Sequence, residues 1–153
     1  MNLSIIAVGR CKPGAERDLL DDYRKRLPWK LELIEVEEKR PLDAATLRQR
    51  EADLLLAKVP DGALVVAMDG RGQAVTSEAL SQKLVAWRDA GKSRICFLIG
   101  GASGHGDAVR ERADFLFSLG NLTWPHMLVR VMLAEQLYRA WSIAANHPYH
   151  RAG

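Results

Sequence analysis

The last third of the sequence concentrates the residues whose types and spacing could do chemistry. Two strand-like runs each break into a glycine-containing loop, one at residues 100–104 and the other at residues 119–126. A tail dense in hydrogen-bonding groups, residues 147–151, follows a long apolar segment. Because glycine has no Cβ and tolerates positive φ, such loops let the backbone approach a ligand closely. This pattern predicts a small-molecule site at the carboxyl edge of an α/β sheet.

The loop at residues 100–106 fits neither of the common nucleotide-binding motifs. It satisfies GxGxxG in no register, and no candidate second glycine is followed by the lysine of a phosphate-binding GxxxxGK[ST] loop. The loop is then either a turn after a buried strand that lets the backbone approach a ligand, or only a link between two elements. Residues 68–72 end the preceding strand in the same manner. Three such endings in series predict a cleft shared by three loops.

The elements that must position these loops alternate between strand and helix patterns. Strands are predicted at residues 2–8, 31–37, 63–68, 94–99 and 115–119, and helices at residues 15–27, 43–58, 77–90 and 107–113. Thr76 or Ser77 can cap the third helix, and Gly91 can close it. This alternation predicts an α/β fold with a mostly parallel sheet and helices on both faces, formed by residues 1–153 as a single domain.

The final predicted helix, about residues 127–145, is apolar on nearly every face. A surface helix would expose such residues to water, so we expect it to be buried on more than one side. In so small a protein a second copy of the chain is a ready partner, which predicts an isologous homodimer. Glu135 and Arg139 interrupt the pattern at i,i+4 spacing, where either an ion pair or a functional role is open.

Composition and charge set broad limits. The chain has 153 residues, a net charge of +3 and 48% hydrophobic residues, which is typical of an ordinary globular protein. Residues 121–153 are the basic part, with three Lys/Arg against one Asp/Glu, which permits a phosphate-bearing partner without demanding one. Cys11 and Cys96 form no metal or disulfide motif. We expect no membrane span and no signal peptide, and therefore a cytoplasmic protein.

One long string of residues carries a family resemblance. Residues 119–126, residues 128–131 and 135–141 behind them, and the ending at residues 147–151 closely resemble the ribosomal large subunit methyltransferase H family, the bacterial 23S rRNA pseudouridine N3-methyltransferases of the SPOUT class. Residues 3–9 and 23–26 resemble the family's opening strand and first helix less specifically. The resemblance implies a C-terminal trefoil knot, an S-adenosyl-L-methionine cofactor without metal, and a target in helix 69 of 23S rRNA in the assembled 70S ribosome.

The resemblance also implies which residues bind and react. Those matching the family's cofactor pocket, with Gly101 added as a neighbour, are Met68, Gly100, Gly101, Leu119, Gly120, Asn121, Leu122, Thr123 and Trp124. Methylation of N3 needs a group that accepts a proton and a cation that stabilises the deprotonated base. The groups suited to those roles are His126, Arg130, Tyr149, His150 and Arg151. Tyr149 could stack on a base and Arg151 could hold a phosphate.

Each of these residues has a plainer interpretation. Pro125 suits the first turn of a helix, so His126 is alternatively only a helix-start residue. A C-terminal tail is often frayed. Three classes of function stay open: an rRNA methyltransferase, a non-catalytic ribosome-binding or RNA-binding factor, and a small-molecule α/β enzyme, although no triad-like or metal-like constellation supports the last. Binding of adenosylmethionine separates the first two.

Overall fold

The fold is a five-stranded, all-parallel sheet with helices on both faces. The computed structural model describes residues 1–152. The elements in chain order are β1 (Asn2–Val8), α1 (Ala15–Arg26), β2 (Lys30–Val36), α2 (Ala44–Leu56), β3 (Leu64–Ala74), α3 (Ser77–Asp89), β4 (Arg94–Ile99), α4 (Asp107–Arg112), β5 (Phe115–Ser118), α5 (His126–Ala144) and a final 3₁₀ turn (Pro148–Ala152). The strand order is β2-β1-β4-β3-β5. The predicted α/β architecture is confirmed.

Alternating side chains divide the core between the two faces of the sheet. In β1, Ile5 packs in the cluster formed with α1, α3 and α5, whereas its neighbour Ile6 packs in the cluster formed with α2 and α4. Adjacent side chains of a strand point to opposite faces, so both faces of a fully covered strand must be apolar. The continuous apolar runs of β1 and β4 meet this requirement, with Ile5, Ile6, Phe97 and Leu98 fully buried.

The sequence signals at helix ends are confirmed where side chains define them. The Thr76 hydroxyl accepts a hydrogen bond from the Ala79 amide at 3.0 Å, so Thr76 rather than Ser77 caps α3. Gly91 follows the helix with φ +89° and donates its amide to the Arg88 carbonyl at 3.0 Å. A left-handed residue of this kind is the usual helix terminator.

Most predicted boundaries differ from the structure by two residues or fewer, but the predicted end of the third strand is wrong. The third strand does not end at Met68, because β3 continues to Ala74. Met68 and Gln73 both pair with Phe117 of β5, so residues 69–72 form an excursion from the ladder and the chain then rejoins it. Gly72 permits the return, since a Cβ there would lie 2.5 Å from the Leu116 backbone. The pattern of Met68-Asp-Gly-Arg-Gly indicated the departure from the sheet but not the return.

Candidate functional site

The carboxyl ends of β4, β3 and β5 lie side by side, because these strands are neighbours in a parallel sheet. Their loops enclose a cavity of about 440 Å³, which is in the range of small-molecule sites. All of the residues predicted to bind a cofactor line this cavity: Met68, Gly100, Gly101, Leu119, Gly120, Asn121, Leu122, Thr123 and Trp124. The structure thus brings together residues that are more than fifty positions apart in the chain.

The loop after β4 is folded so tightly that a side chain at Gly100 would meet the loop's own backbone. The Gly104 amide donates to the Gly101 carbonyl at 2.9 Å, which turns the chain back on itself. A Cβ at Gly100 would lie 3.1–3.2 Å from the backbone of Gly104 and 3.2 Å from the His105 nitrogen. Because those neighbours are main-chain atoms, they could yield only by moving the loop. With glycine at position 100, the wall of the cavity is formed there by main-chain atoms without a side chain.

The loop after β5 contributes three apolar side chains to the lining, those of Leu119, Leu122 and Trp124. Gly120 has φ +102°, and its amide and carbonyl both bond to the Ser118 hydroxyl at 3.1 and 3.0 Å. Beyond this turn, Leu122 is 71% exposed and Trp124 is 38% exposed. Large apolar side chains exposed beside a cavity are typical of a surface that covers a ligand or a partner. This loop is therefore suited to enclose a flat apolar group.

The excursion from β3 adds charged residues that the sequence analysis did not single out. Asp69, Gly70 and Arg71 line the cavity next to Met68. The Arg71 side chain pairs with the Asp69 carboxylate at 3.0 Å. Burial alone would raise the pKa of Asp69, but hydrogen bonds from the Arg71 side chain and backbone lower it overall. In the sequence, the position of Asp69 and Arg71 directly after Met68 could have identified them as residues of the site.

Two buried titratable groups pack at the loop after β4. His105 is 7% exposed, and its Nε2–H donates to the Leu98 carbonyl at 3.0 Å. Burial lowers the pKa of this imidazole, so it is held neutral. Glu51 of α2 is 8% exposed, and its Oε1 has no hydrogen-bond partner among the described residues. Burial raises the pKa of this carboxyl, which faces the Cα of Gly101.

The structure separates His126 from Arg130. His126 is the first residue of α5, is exposed and lines the cavity. Arg130, one turn later, is fully buried. Its guanidinium donates to the Glu35 carboxylate at 2.6 Å and to the Val8 and Gly9 carbonyls at 2.9 and 2.8 Å. These contacts tie α5 to the carboxyl end of β1, and they do not bring Arg130 into the cavity.

The three predicted tail residues fold back along the carboxyl half of α5. The Tyr149 ring packs edge-on against Tyr138 with 4.5 Å between centroids, and its hydroxyl donates to Glu135 at 3.3 Å. Burial is the main cause that raises the pKa of Tyr149. His150 Nδ1 bonds to the Ser142 hydroxyl at 2.8 Å, and Arg151 donates to Asn146 at 2.7 Å. The tail is therefore ordered by side-chain contacts.

Tail and cavity contact different parts of α5, a helix of 19 residues. The cavity touches its amino end at His126 and Val129. Tyr149 reaches the middle of the helix at Glu135 and Tyr138, and His150 packs near its carboxyl end at Ser142. Within one chain, the tail does not line the cavity.

The apolar surface of α5 is mostly covered within the chain itself. Val131, Leu133 and Leu137 are buried in the core shared with α1 and α3. A partly exposed stripe remains, which includes Leu128, Met132, Glu135, Gln136, Arg139 and Ile143. Of the two alternatives left open for Glu135 and Arg139, the structure shows the ion pair, at 2.7 Å. A dimer through this helix would therefore use the stripe, not the buried faces from which it was predicted.

Metal-binding groups and membrane-spanning helices were sought in the part of the chain that the structure describes. No group of three or more His, Cys, Asp or Glu residues there could hold a metal ion. None of the described helices is long and apolar enough to cross a membrane.

Comparisons with known proteins match the whole chain. A family model described as "Predicted SPOUT methyltransferase" matches residues 1–150. The chain is 58% identical to the ribosomal RNA large subunit methyltransferase H of Paramagnetospirillum magneticum over 151 residues, with 99% of each chain covered. It is 55% identical to the protein of the same name from Rhodospirillum centenum, covering 99% of this chain and 100% of that one.

A solved structure supports the fold independently. A probable methylase family protein from Haemophilus influenzae superposes with a TM-score of 0.61 over 97% of this chain and 70% of that one. The two sequences are 13% identical, so this likeness concerns the fold alone.

Proposed function

Because the chain belongs to the SPOUT methyltransferase family, we propose that it is an S-adenosylmethionine-dependent methyltransferase that modifies N3 of a pseudouridine in helix 69 of 23S rRNA. The proposed substrate is the assembled 70S ribosome. The observation that carries the proposal is the convergence of the predicted cofactor residues on one cavity of about 440 Å³. The relatives' shared name, ribosomal RNA large subunit methyltransferase H, supports rRNA as the substrate class.

The cavity has the character that this cofactor requires. Leu119, Leu122 and Trp124 provide apolar surface for an adenine ring, and the glycine loop after β4 provides a close main-chain wall. The loops' backbone amides and carbonyls can bond to ring nitrogens and ribose hydroxyls. Bound adenosylmethionine supplies an activated methyl group on its sulfonium.

The protein's remaining tasks are to orient the base and to handle one proton. In this proposal the target base enters from the open side of the cavity, where His126 is exposed. An imidazole can accept the N3 proton near neutral pH, and an arginine can stabilise the resulting anionic base. Since Arg130 is fully buried in ion and carbonyl contacts, we assign it a positioning role that holds α5 against β1.

We further propose that Tyr149, His150 and Arg151 act on the RNA from a partner subunit. None of the three lines the cavity of its own chain, which supports this assignment. A homodimer formed along the stripe that contains Leu128 and Met132 would place the amino end of one α5 near the carboxyl end of another if the two helices ran antiparallel. The site would then be complete only in the dimer.

The remaining expectations from the sequence belong to the same proposal. Residues 1–153 form one SPOUT domain with a C-terminal trefoil knot, and the enzyme works in the cytoplasm, where ribosomes reside. The modest net charge of +3 fits a protein that recognises a preassembled surface, since broad non-specific RNA binding usually needs a larger excess of positive charge.

The proposal is tested by calorimetry followed by a transfer assay. Titration with adenosylmethionine in the presence of EDTA is expected to show one site per chain. Labelled adenosylmethionine and unmodified 70S ribosomes are then expected to give methylated helix 69, whereas ribosomes with uridine at the target position are expected to give none. Absence of cofactor binding would contradict the proposal. Binding without transfer to any ribosomal particle would favour a non-catalytic ribosome-binding factor.

A further inference from the structure

A second cavity adjoins the cofactor pocket on the α2 side of the sheet. This groove, of about 730 Å³, lies between α2, the loop at residues 103–106 and the start of α4. It shares Arg71, Gly104 and His105 with the cofactor pocket. A molecule that placed one of its parts in the pocket could therefore extend directly into the groove.

The groove is lined by more positive than negative charge. Arg48, Arg71 and Arg110 line it together with one acidic residue, Asp107, and with a histidine that is held neutral. Arg71 pairs with Asp69, and Arg110 pairs with Asp107, whose side chain is 83% exposed. Arg48 has no hydrogen-bond or ion-pair partner among the described residues, although it is half-buried beside the loop. The groove thus holds one cation without a counter-charge and two whose partners are carboxylates.

The groove is also rigid at its base. A Cβ on Gly106 would lie 3.3 Å from the Arg48 carbonyl, so the loop packs directly on the backbone of α2. His105 anchors the same loop to β4 through the Leu98 carbonyl. The backbone that carries Arg48 is therefore packed against the loop that lines both cavities.

We propose that this groove binds a backbone phosphate of the substrate RNA next to the nucleotide that enters the cofactor pocket. The inference rests on the proposed function, because it takes the occupant of the pocket to be part of an RNA chain. Arginine is the residue best suited to bind a phosphate through two parallel hydrogen bonds, and Arg48 and Arg110 are placed to do so. Every nucleotide brought to the pocket carries its phosphates along, so a positive groove beside the pocket matches that chemistry.

The groove and the proposed dimer surface do not compete. The stripe on α5 lies on the face of the sheet that α1 and α3 share, whereas the groove is built by α2 and α4 on the other face. The phosphate contact would therefore be available in the dimer.

The test compares Arg48→Gln, Arg48→Glu and Arg110→Gln with the parent enzyme. We measure methyl transfer at varied concentrations of unmodified 70S ribosomes and at several salt concentrations. The expected result is a KM for ribosomes raised several-fold by Arg48→Gln and more by Arg48→Glu, with kcat and the Kd for adenosylmethionine unchanged. Loss of one phosphate contact should also reduce the slope of log affinity against log salt by about one unit.

The matched control is Arg50→Gln. Arg50 lies on the same helix but pairs with Glu38 at 3.0 Å, and it does not line the groove. It is expected to leave KM and the salt dependence unchanged. Arg48→Lys keeps the charge but loses the two-pronged geometry, so an intermediate KM is expected.

Each other outcome overturns the proposal in a distinct way. If the parent methylates ribosomes and the Arg48 and Arg110 variants match it in KM and salt dependence, the groove does not bind RNA phosphate. If inorganic phosphate binds in an Arg48-dependent manner while KM is unaffected, the groove holds a free anion only. If the parent transfers no methyl group, the proposed function fails first. Co-sedimentation of parent and Arg48→Glu with 70S ribosomes then decides whether the groove contacts RNA, and equal binding would refute it.

Discussion

The two ends of α5 differ in how their residues are held. At the amino end, three loops meet around a cavity, and the apolar side chains of Leu122, Trp124 and Leu128 are 71%, 38% and 38% exposed. At the carboxyl end, Tyr149 and His150 fold back and bond to residues of the helix itself. The amino end therefore exposes apolar surface to solvent, whereas the polar groups at the carboxyl end form hydrogen bonds within the chain.

This difference indicates a division of labour along one helix. The cavity offers backbone and apolar surface that suit binding of a small molecule, together with the side chains of Asp69, Arg71 and His126. The tail offers tyrosine, histidine and arginine but no cavity. We propose that the methyltransferase site needs both sets, which do not meet within one chain, and that a partner's tail completes the cavity.

The largest expected effect is at the cavity. Gly100→Val is expected to weaken adenosylmethionine binding by about 100-fold or more, because its side chain would press on the Gly104 and His105 backbone. Circular dichroism should show that the fold persists, and calorimetry measures the affinity. A Gly100→Val variant that titrates like the parent would place the cofactor elsewhere and remove the contrast between the two ends.

Removing the tail is expected to affect chemistry alone. Truncation after Pro148 should lower methyl transfer to 70S ribosomes by about 100-fold or more, the size of a typical proton-transfer contribution. Adenosylmethionine affinity should stay near that of the parent, because no tail residue lines the cavity.

A milder variant controls for lost packing in the truncated protein. Tyr149→Phe keeps the ring against Tyr138 while it removes the hydroxyl. Normal transfer by the truncated enzyme would show that the tail plays no part. Loss of cofactor binding in both variants would instead make the tail part of the fold.

The dimer prediction is tested with substitutions on exposed residues. Leu133 is fully buried within its own chain, so a charge there would disrupt the core whatever the oligomeric state. Leu19 is 47% exposed and lines a groove with Met132. Leu19→Glu and Met132→Glu are expected to shift a dimer to monomer in sedimentation velocity at micromolar concentration. Ala44→Glu, exposed at the start of α2, is the control; a monomeric parent would contradict the dimer.

The smallest expected effect concerns Glu51 beneath the glycine loop. Burial raises the pKa of this carboxyl in the folded protein, so the fold favours its protonated form. The stability that this form contributes is lost as the pH rises above about 4.3, the pKa of a glutamate in the unfolded chain. The Glu51→Gln variant should therefore have a higher melting temperature than the parent at pH 8 and the same melting temperature at pH 4. Each kcal/mol corresponds to about 2–4 °C in a domain of this size.

Glu38→Gln provides a control of opposite sign. Hydrogen bonds from Arg40 and Arg50 lower the pKa of Glu38 to about 2, so its contribution is present at neutral pH and lost in acid. The Glu38 variant should melt below the parent at pH 7. If Glu51→Gln shows the same pH trend as Glu38→Gln, the carboxyl of Glu51 is not the buried, unpartnered group described above.

Local patterns in the sequence predicted most of the fold. β1 and β4 are apolar on both faces, and their predicted bounds agree with the structure residue for residue. Thr76 and Gly91 marked the ends of α3 because capping depends on the residues next to the helix. The convergence of Met68, Gly100 and Leu119 was predictable, since the carboxyl ends of parallel strands share one edge.

Contacts between distant segments could not be predicted in this way. Arg130 was interpreted as a group for the substrate, but its partner Glu35 lies 95 residues earlier in the chain. Nothing in the local sequence announced that pairing. The return of β3 at Gln73 depends on the position of β5, and the isolation of Glu51 depends on how the loop at Gly101 packs over α2. These features arise from tertiary structure rather than from periodicity.

The most direct measurement mixes two inactive proteins. The Gly100→Val chain keeps an intact tail, and the chain truncated after Pro148 keeps an intact cavity. If the tail of one subunit completes the cavity of the other, mixed dimers contain one working site, and an equal mixture should recover about a quarter of the parent's methyl transfer to 70S ribosomes when subunits exchange freely. A mixture that stays as inactive as its two components, after exchange has been verified, would contradict the central claim.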